Sequence, residues 1–325
     1  MRLTIDGRNV EAAEGMSILQ AAKTVGIEIP TLCYLEGISD IGSCRLCVVE
    51  VEGKNELVTA CNTKAKEGMV VQTASERVIE ARKTVLKLLL SNHNIDCFNC
   101  EKNGDCELQK YCNIYGIDTT PYFGSRGLLE CEIPKKDAHP FLSYDQSKCI
   151  YCQRCVQTCR VATGRRAIKL RRTGKFTIID APFGDDWEET RCESCGNCAQ
   201  ACPTGALTIK RRKNYRPWEV KRVRTTCPHC ATGCQYDLIV KDNKIVDVEG
   251  ADGPSNHKMV CVKGRSGSFD FVDHPDRVRH PLIKNKETGE FEQATWDEAL
   301  DYVAKKFTEL RDTYGGDCLA GFACA

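Results

Sequence analysis

Cysteine placement constrains this chain more than any other feature. Of its 325 residues 23 are cysteine, and most fall in tight groups with two residues between one thiol and the next. Such a count has two ordinary readings: a disulfide framework in an oxidising compartment, or metal binding in a reducing one. The odd total and the two-residue spacings fit disulfides badly. The N-terminus, MRLTIDGRNV, alternates apolar and polar residues, with no apolar h-region and no small-residue cleavage site. The expectation is therefore metal sites in a cytoplasmic protein. No apolar run approaches the length of a membrane span. With 46 basic against 45 acidic residues the net charge is +1, which gives no basis for nucleic acid or an anionic membrane as the main partner.

The patterning predicts an α+β, multi-domain chain. Residues 1–75 read as a small strand-rich unit, with strands about Asp6-Gly7, a helix from Ser17 to Val25, and a hairpin about Gly53-Lys54-Asn55. In residues 76–138, Ser75 caps a helix whose Val78, Ile79, Val85, Leu86, Leu89 and Leu90 recur at helical spacing before a cysteine-rich loop. Residues 139–212 hold the same four-cysteine pattern twice. In residues 213–325 a hairpin is expected about Asp242-Asn243, then a capping box from Thr295 to Glu298. That helix carries Leu300, Val303, Phe307 and Leu310 on one face and stops at Gly315-Gly316, and a strand is expected from Cys318 to Phe322. The basic segment from Lys210 to Arg224 reads as a solvated linker or, alternatively, a docking surface.

Five ligand sets emerge. Soft thiolates suit iron–sulfur clusters, and short spacings let one loop aim several sulfurs at one small object. The first set is Cys33, Cys44, Cys47 and Cys61, placed after a strand–helix–strand unit as in a [2Fe–2S] site. The second is His93, Cys97, Cys100 and Cys106, with the histidine four residues before a CxxC. The third run, Cys149, Cys152, Cys155 and Cys159, and the fourth, Cys192, Cys195, Cys198 and Cys202, are both C-x2-C-x2-C-x3-C. In that arrangement the fourth cysteine of each run serves the other cluster. This pairs Cys202 with Cys149, Cys152 and Cys155, and Cys159 with Cys192, Cys195 and Cys198. The fifth set is Cys227, Cys230, Cys234 and Cys261. Spacing alone leaves zinc open for the first, second and fifth sets, and leaves His93 open as an ordinary satisfied polar residue. The expected cofactors are one [2Fe–2S] and four [4Fe–4S] clusters. Cys112, Cys131, Cys318 and Cys324 remain, expected as small buried apolar residues, with Cys112 close enough to the second set to stay open as a ligand.

The order of these sets resembles the N-terminal half of [FeFe]-hydrogenases and the α subunit of NAD-dependent formate dehydrogenases. The first two modules also resemble the large iron–sulfur subunit of respiratory complex I. The fifth set, with Cys261-Val262-Lys263-Gly264-Arg265 and the later His274-Pro275-Asp276-Arg277, is similar to the start of a molybdopterin oxidoreductase. The resemblance spans essentially the whole chain and is nearest to the formate dehydrogenase α subunit. It implies a β-grasp ferredoxin, a histidine-ligated cluster module, a two-cluster ferredoxin and the small [4Fe–4S] domain of the molybdopterin family. It also implies that Lys263 relays electrons between cluster and pterin, the alternative being an ordinary surface lysine. In that family several hundred further residues bind the pterin, whereas the sequence stops at Ala325. No cysteine motif for a hydrogenase active-site cluster follows, and no catalytic residue is identified. The implied function is electron transfer in an NAD(P)-linked, electron-bifurcating or related complex, between a flavin-containing NAD(P)H-oxidising subunit and a further redox subunit. The alternatives are the N-terminal fragment of a molybdenum or tungsten formate dehydrogenase, and a zinc-rich structural protein.

Overall fold

The computed structural model describes residues 1–122, 138–173, 176–180, 187–210, 215–267, 269 and 271–321. Cys131, Cys324, Phe322 and the 211–214 part of the basic segment lie outside these. The N-terminal unit is a five-stranded sheet with a helix against it. β1 (Arg2–Ile5) and β2 (Arg8–Glu11) form the expected hairpin, and the sheet order is β2-β1-β5-β3-β4, with β3 at Val48–Val51, β4 at Val58–Thr59 and β5 at Val70–Gln72. β1 pairs parallel with β5, and the other pairs are antiparallel. α1 (Ile18–Thr24) starts at Ser17 in a capping box with Gln20, which satisfies N–H groups that the first turn leaves open. Its Ile18, Leu19, Ala21 and Ala22 pack with Leu3, Ile5, Val10, Val49 and Val71.

α2 (Glu76–Ser91) begins at Ser75, whose side chain accepts from the Val78 N–H. It buries Val78, Arg82, Leu86 and Leu90, one residue per turn. Arg82 is the unexpected member. Its guanidinium donates to the carbonyls of Leu46 (3.1 Å) and Val48 (2.9 Å), on either side of Cys47, and to the Tyr115 hydroxyl (3.1 Å). The helix thereby fixes the loop that carries the first cysteine set. Leu86 and Leu90 share one core with Leu32, Cys33, Cys44, Leu46, Leu108, Cys112, Ile150 and Cys152. That core joins the first, second and third cysteine runs.

The third and fourth runs occupy a duplicated unit. Its outer strands, β6 (Leu142–Tyr144) and β9 (Leu207–Ile209), pair antiparallel although the whole duplication separates them. Between them lie the short helix α4 (Arg154–Gln157), which follows α3 (Glu107–Ile114) in the chain, the hairpin β7 (Lys169–Thr173) and β8 (Phe176–Asp180), and α5 (Asn197–Ala201). The fifth set sits on a three-stranded sheet of β10 (Lys221–Thr226), β11 (Gln235–Lys241) and β12 (Lys244–Gly250), followed by α6 (Val262–Ser266).

Three expectations need correction. Residues 221–224, read as linker, belong to β10 and pair with β11 through Lys221↔Val240 to Arg224↔Asp237. Their charges stand on the outer side of an edge strand, so the composition resembled a solvated segment. The expected strand at Cys318 is a tight turn, Gly316–Cys318, with Leu319 following. Cys318 is exposed rather than buried. The capping box of α7 (Trp296–Tyr314) is present, but none of its residues is buried. Among the described residues no layer covers its apolar face, and Cys318 lies beyond that uncovered helix.

Candidate metal centres

The first set closes into a chain of four buried thiols. Cys33 hydrogen-bonds with Cys44 and Cys61, and Cys61 also bonds with Cys47. These bonds hold Cys33 and Cys47 below the usual thiol range, and Cys44 and Cys61 above it, where burial adds to the effect. Backbone N–H groups of Leu32 and Cys44 point at Cys44 Sγ (3.4 Å) and Cys33 Sγ (3.5 Å). Positive φ at Gly42 and Arg45 curls the loop on either side of Cys44.

In the second set, Cys97, Cys100 and Cys106 lie within electrostatic reach of one another. His93 is buried just past the C-terminus of α2. Cys106 is the N-cap of α3, and burial raises its thiol to about 11. Cys112, one helical stretch on, is buried among Leu86, Leu90 and Leu108, as expected of a small apolar residue.

The third and fourth runs interleave. One cavity is lined by Cys149, Cys152, Cys155 and Cys202. A second is lined by Cys159, Cys192, Cys195 and Cys198. Each therefore draws its fourth thiol from the other repeat. The backbone repeats too. The residues before and after the second cysteine take left-handed conformations in both, Tyr151 and Gln153 in one, Ser194 and Gly196 in the other. As a result Tyr151 N–H approaches Cys149 Sγ and Ser194 N–H approaches Cys192 Sγ, both at 3.4 Å. A cavity with four thiols and inward N–H groups is the donor chemistry a cubane iron–sulfur centre needs.

The fifth set is more open. Cys227 is buried, Cys234 is half-buried, and Cys230 and Cys261 are exposed. Cys234 senses the other three electrostatically, and Cys227 senses Cys230 and Cys261. Lys263, on α6, lies near enough to Cys230 to help lower its thiol, after the larger effect of hydrogen bonds with Thr232. Among the described residues no three His, Cys, Asp or Glu side chains close on a point as a single ion requires.

Contacts join the sets to one another. Ser43, beside Cys44, donates to the carbonyl of Tyr151 (3.2 Å), tying the first loop to the third run. The Pro203 carbonyl, next to Cys202, accepts from Glu107 N–H (3.0 Å) and lies 3.5 Å from Cys106 Sγ. Gly205 passes so close that a Cβ there would meet Cys100 Sγ at 2.5 Å. A bidentate pair, Arg154 with Glu107 (2.5 and 2.9 Å), locks α4 against α3. Sequence reading missed these residues, since each acts through a partner far along the chain. It also missed His139. The His139 Nδ1 accepts from Phe141 and Leu142 N–H (3.1 and 3.0 Å), which leaves Nε2 as the protonated nitrogen facing Cys192 Sγ at 3.6 Å. Burial, and then Lys210, lower this histidine to about 4.

Comparison with known proteins follows the same order of units. Family models match for the 2Fe-2S iron-sulfur cluster binding domain over residues 1–76 and the NADH-ubiquinone oxidoreductase-G iron-sulfur binding region over 82–121. Others match for the ferredoxin-like domain of NADH-quinone oxidoreductase subunit 3 over 139–208, the molybdopterin oxidoreductase Fe4S4 domain over 220–272 and molybdopterin oxidoreductase over 277–325. The NADPH-Fe(3+) oxidoreductase subunit alpha of Geobacter sulfurreducens is 37% identical over 98% of this chain and 36% of its own length. A G-type NADH-quinone oxidoreductase chain of Rhizobium meliloti is 35% identical over 94% of this chain and 35% of its own. The chain thus spans about a third of the length of these relatives. A chain in the crystal structure of an NAD+-reducing [NiFe]-hydrogenase aligns with TM-score 0.58 and 30% identity, over 66% of this chain and 90% of that one. No helix among the described residues is long and apolar enough to cross a membrane. The chain belongs to the iron–sulfur family that joins a [2Fe–2S] domain to the NADH-quinone oxidoreductase G-type cluster region and ferredoxin-like domain, here continued by the iron–sulfur domain of molybdopterin oxidoreductases.

Proposed function

We propose that this chain is the iron–sulfur electron-carrying part of an NAD(P)-linked oxidoreductase, working between a flavin-containing NAD(P)H-oxidising subunit and a further redox subunit. The observation that carries the reading is the pair of four-cysteine cavities with exchanged fourth thiols. In this reading Cys33, Cys44, Cys47 and Cys61 hold a [2Fe–2S] cluster. His93, Cys97, Cys100 and Cys106 hold a [4Fe–4S] cluster. Two more belong to the two cavities, and a fifth centre to Cys227, Cys230, Cys234 and Cys261. The four units are then a β-grasp ferredoxin over residues 1–75, a histidine-ligated module over 76–138, a two-cluster ferredoxin over 139–212 and the molybdopterin-type cluster domain over 213–325. When bound, such clusters supply one-electron transfer. The residues of the chain set how close the centres stand and how well they are shielded from water. The Ser43–Tyr151 contact and the approach of Pro203 and Gly205 to Cys106 and Cys100 bring the cavity of Cys149, Cys152, Cys155 and Cys202 next to both the first set and the second. A reducing, cytoplasmic setting suits thiols that must stay free for iron.

The exchange of cysteines is tested by Cys202→Ser. The expected result is an altered EPR signal from the centre that includes Cys149, Cys152 and Cys155, with the Cys192-side centre unchanged. An alteration confined to the Cys192 side would overturn the assignment.

The match to molybdopterin oxidoreductase over residues 277–325 favours a second reading, the N-terminal part of a molybdenum or tungsten formate dehydrogenase α chain. Lys263 would there stand between the fifth centre and a pterin. Purification of the native complex separates the two. Flavin without molybdenum, tungsten or pterin supports the first reading, and bound pterin supports the second.

A further inference from the structure

Arg265 is not a ligand of any set, yet it is among the most deeply buried charges in the molecule, 4% exposed. It follows the fifth cysteine set on α6 but points into the fourth run. Its Nε donates to the carbonyl of Cys195 (2.8 Å), and one terminal nitrogen donates to Asn197 Oδ1 (3.0 Å) and Gln200 Oε1 (2.7 Å). All three acceptors are neutral. Among the described residues no ion pair holds the guanidinium. The carboxylates nearest in the same cavity, Asp247 and Glu249 on β12, are engaged with the Tyr215 hydroxyl (2.9 Å) and Arg222 (2.5 Å).

The surroundings are built for this side chain. Gly196, in the left-handed conformation, would with a Cβ meet Arg265 Cδ at 2.6 Å. Asn197 Oδ1 also accepts from Val260 N–H (3.1 Å), and the Gln200 side chain bonds with both N–H and carbonyl of Gly250 (3.1 and 2.8 Å). One face of α5 is thus spent on receiving the fifth unit, with Arg265 at the centre of the joint. A buried cation without an anion is strongly unfavourable. The groups that act on it electrostatically are the thiols of Cys195 and Cys198, on the side its Nε faces, and the Asp247 and Glu249 carboxylates of β12, and an iron–sulfur centre with four thiolates carries net negative charge.

We infer that Arg265 is an electrostatic positioning residue shared by two neighbouring redox centres: it draws the fifth set against the fourth and makes the centre of Cys159, Cys192, Cys195 and Cys198 easier to reduce. This rests on the cluster assignment proposed above. Cluster potential follows net charge and hydrogen bonding near the sulfurs, and a fixed positive charge favours the reduced, more negative state.

The test is an EPR-monitored redox titration of the full chain, reconstituted without oxygen, with iron content measured alongside. The relevant signal is identified as the one altered by Cys198→Ser. Arg265→Met removes the charge, Arg265→Lys keeps it, and Asn197→Asp neutralises it while leaving Arg265 in place. The expected result for Arg265→Met and Asn197→Asp is a rise of about tenfold in the oxidised-to-reduced ratio of that centre at fixed ambient potential, equivalent to about 59 mV for one electron. Arg265→Lys should return the ratio close to wild type. Should Arg265→Met lose iron, Asn197→Asp decides by the same criterion. Titrations of Asn197→Asp that superimpose on wild type with iron retained would overturn the inference, as would Arg265→Lys shifting as far as Arg265→Met. An iron-free wild-type chain would instead overturn the cluster assignment beneath it.

Discussion

Single residues decide how near the thiol sets come to one another. Gly205 is the clearest case, because any side chain there would enter the space of Cys100 Sγ. Gly205→Ala should therefore weaken the second centre alone. The expected loss is about four irons per chain, one [4Fe–4S] unit, read by iron analysis and by disappearance of one EPR signal. Retention of full iron content would show that the Cys100 loop yields. The thiols themselves were legible in the sequence because ligand spacing is a local property. Even the exchange of Cys159 and Cys202 followed from spacing, and the two cavities show the same grouping. Arg265, Gly205, Arg82 and His139 were not legible. Each is defined by what it meets more than thirty positions away, except His139, whose ring is set by its own neighbours and reaches Cys192 only through the fold.

At the scale of elements, local signals served well where the helix cap and the apolar stripe agree. Ser17, Ser75 and Thr295 each cap the helix that follows. α2 is the element on which the first three sets depend, since its buried face forms part of their common core. Leu86, fully buried there, should cost about 2–5 kcal/mol when cut to alanine, measured from the guanidinium midpoint of the holo chain. A change under about 0.5 kcal/mol would mean that α2 does not hold that core. α7 provides the converse. Its sequence places an apolar stripe on one face, and there Phe307 is 54% exposed. Phe307→Ser should leave the same midpoint within about 0.5 kcal/mol of wild type, because no packing is lost. A drop of several kcal/mol would show that the face is covered in solution. Periodicity reports which face is apolar, not what lies against it. β10 was missed for the opposite reason: its charged residues hide a strand that exists only through its pairing with β11.

The whole molecule places its thiol sets in an order that differs from the order of the chain. The cavity of Cys149, Cys152, Cys155 and Cys202 approaches the first set through Ser43 and Tyr151 and the second through Pro203 and Gly205, and the cavity of Cys159, Cys192, Cys195 and Cys198 meets the fifth unit through Arg265. The grouping of the thiols follows from spacing, while their adjacency arises from the Arg154–Glu107 pair, the shared core and the α5 joint. Each of those contacts brings together segments that composition treats as separate. Electron transfer along this chain requires that the five sets of side chains bind iron and sulfide rather than zinc. Metal and acid-labile sulfide analysis of the chain prepared without oxygen tests it directly. The expected result is about 18 irons with matching sulfide per chain and a brown protein bleached by dithionite. A colourless protein with several zinc ions and no labile sulfide would contradict it.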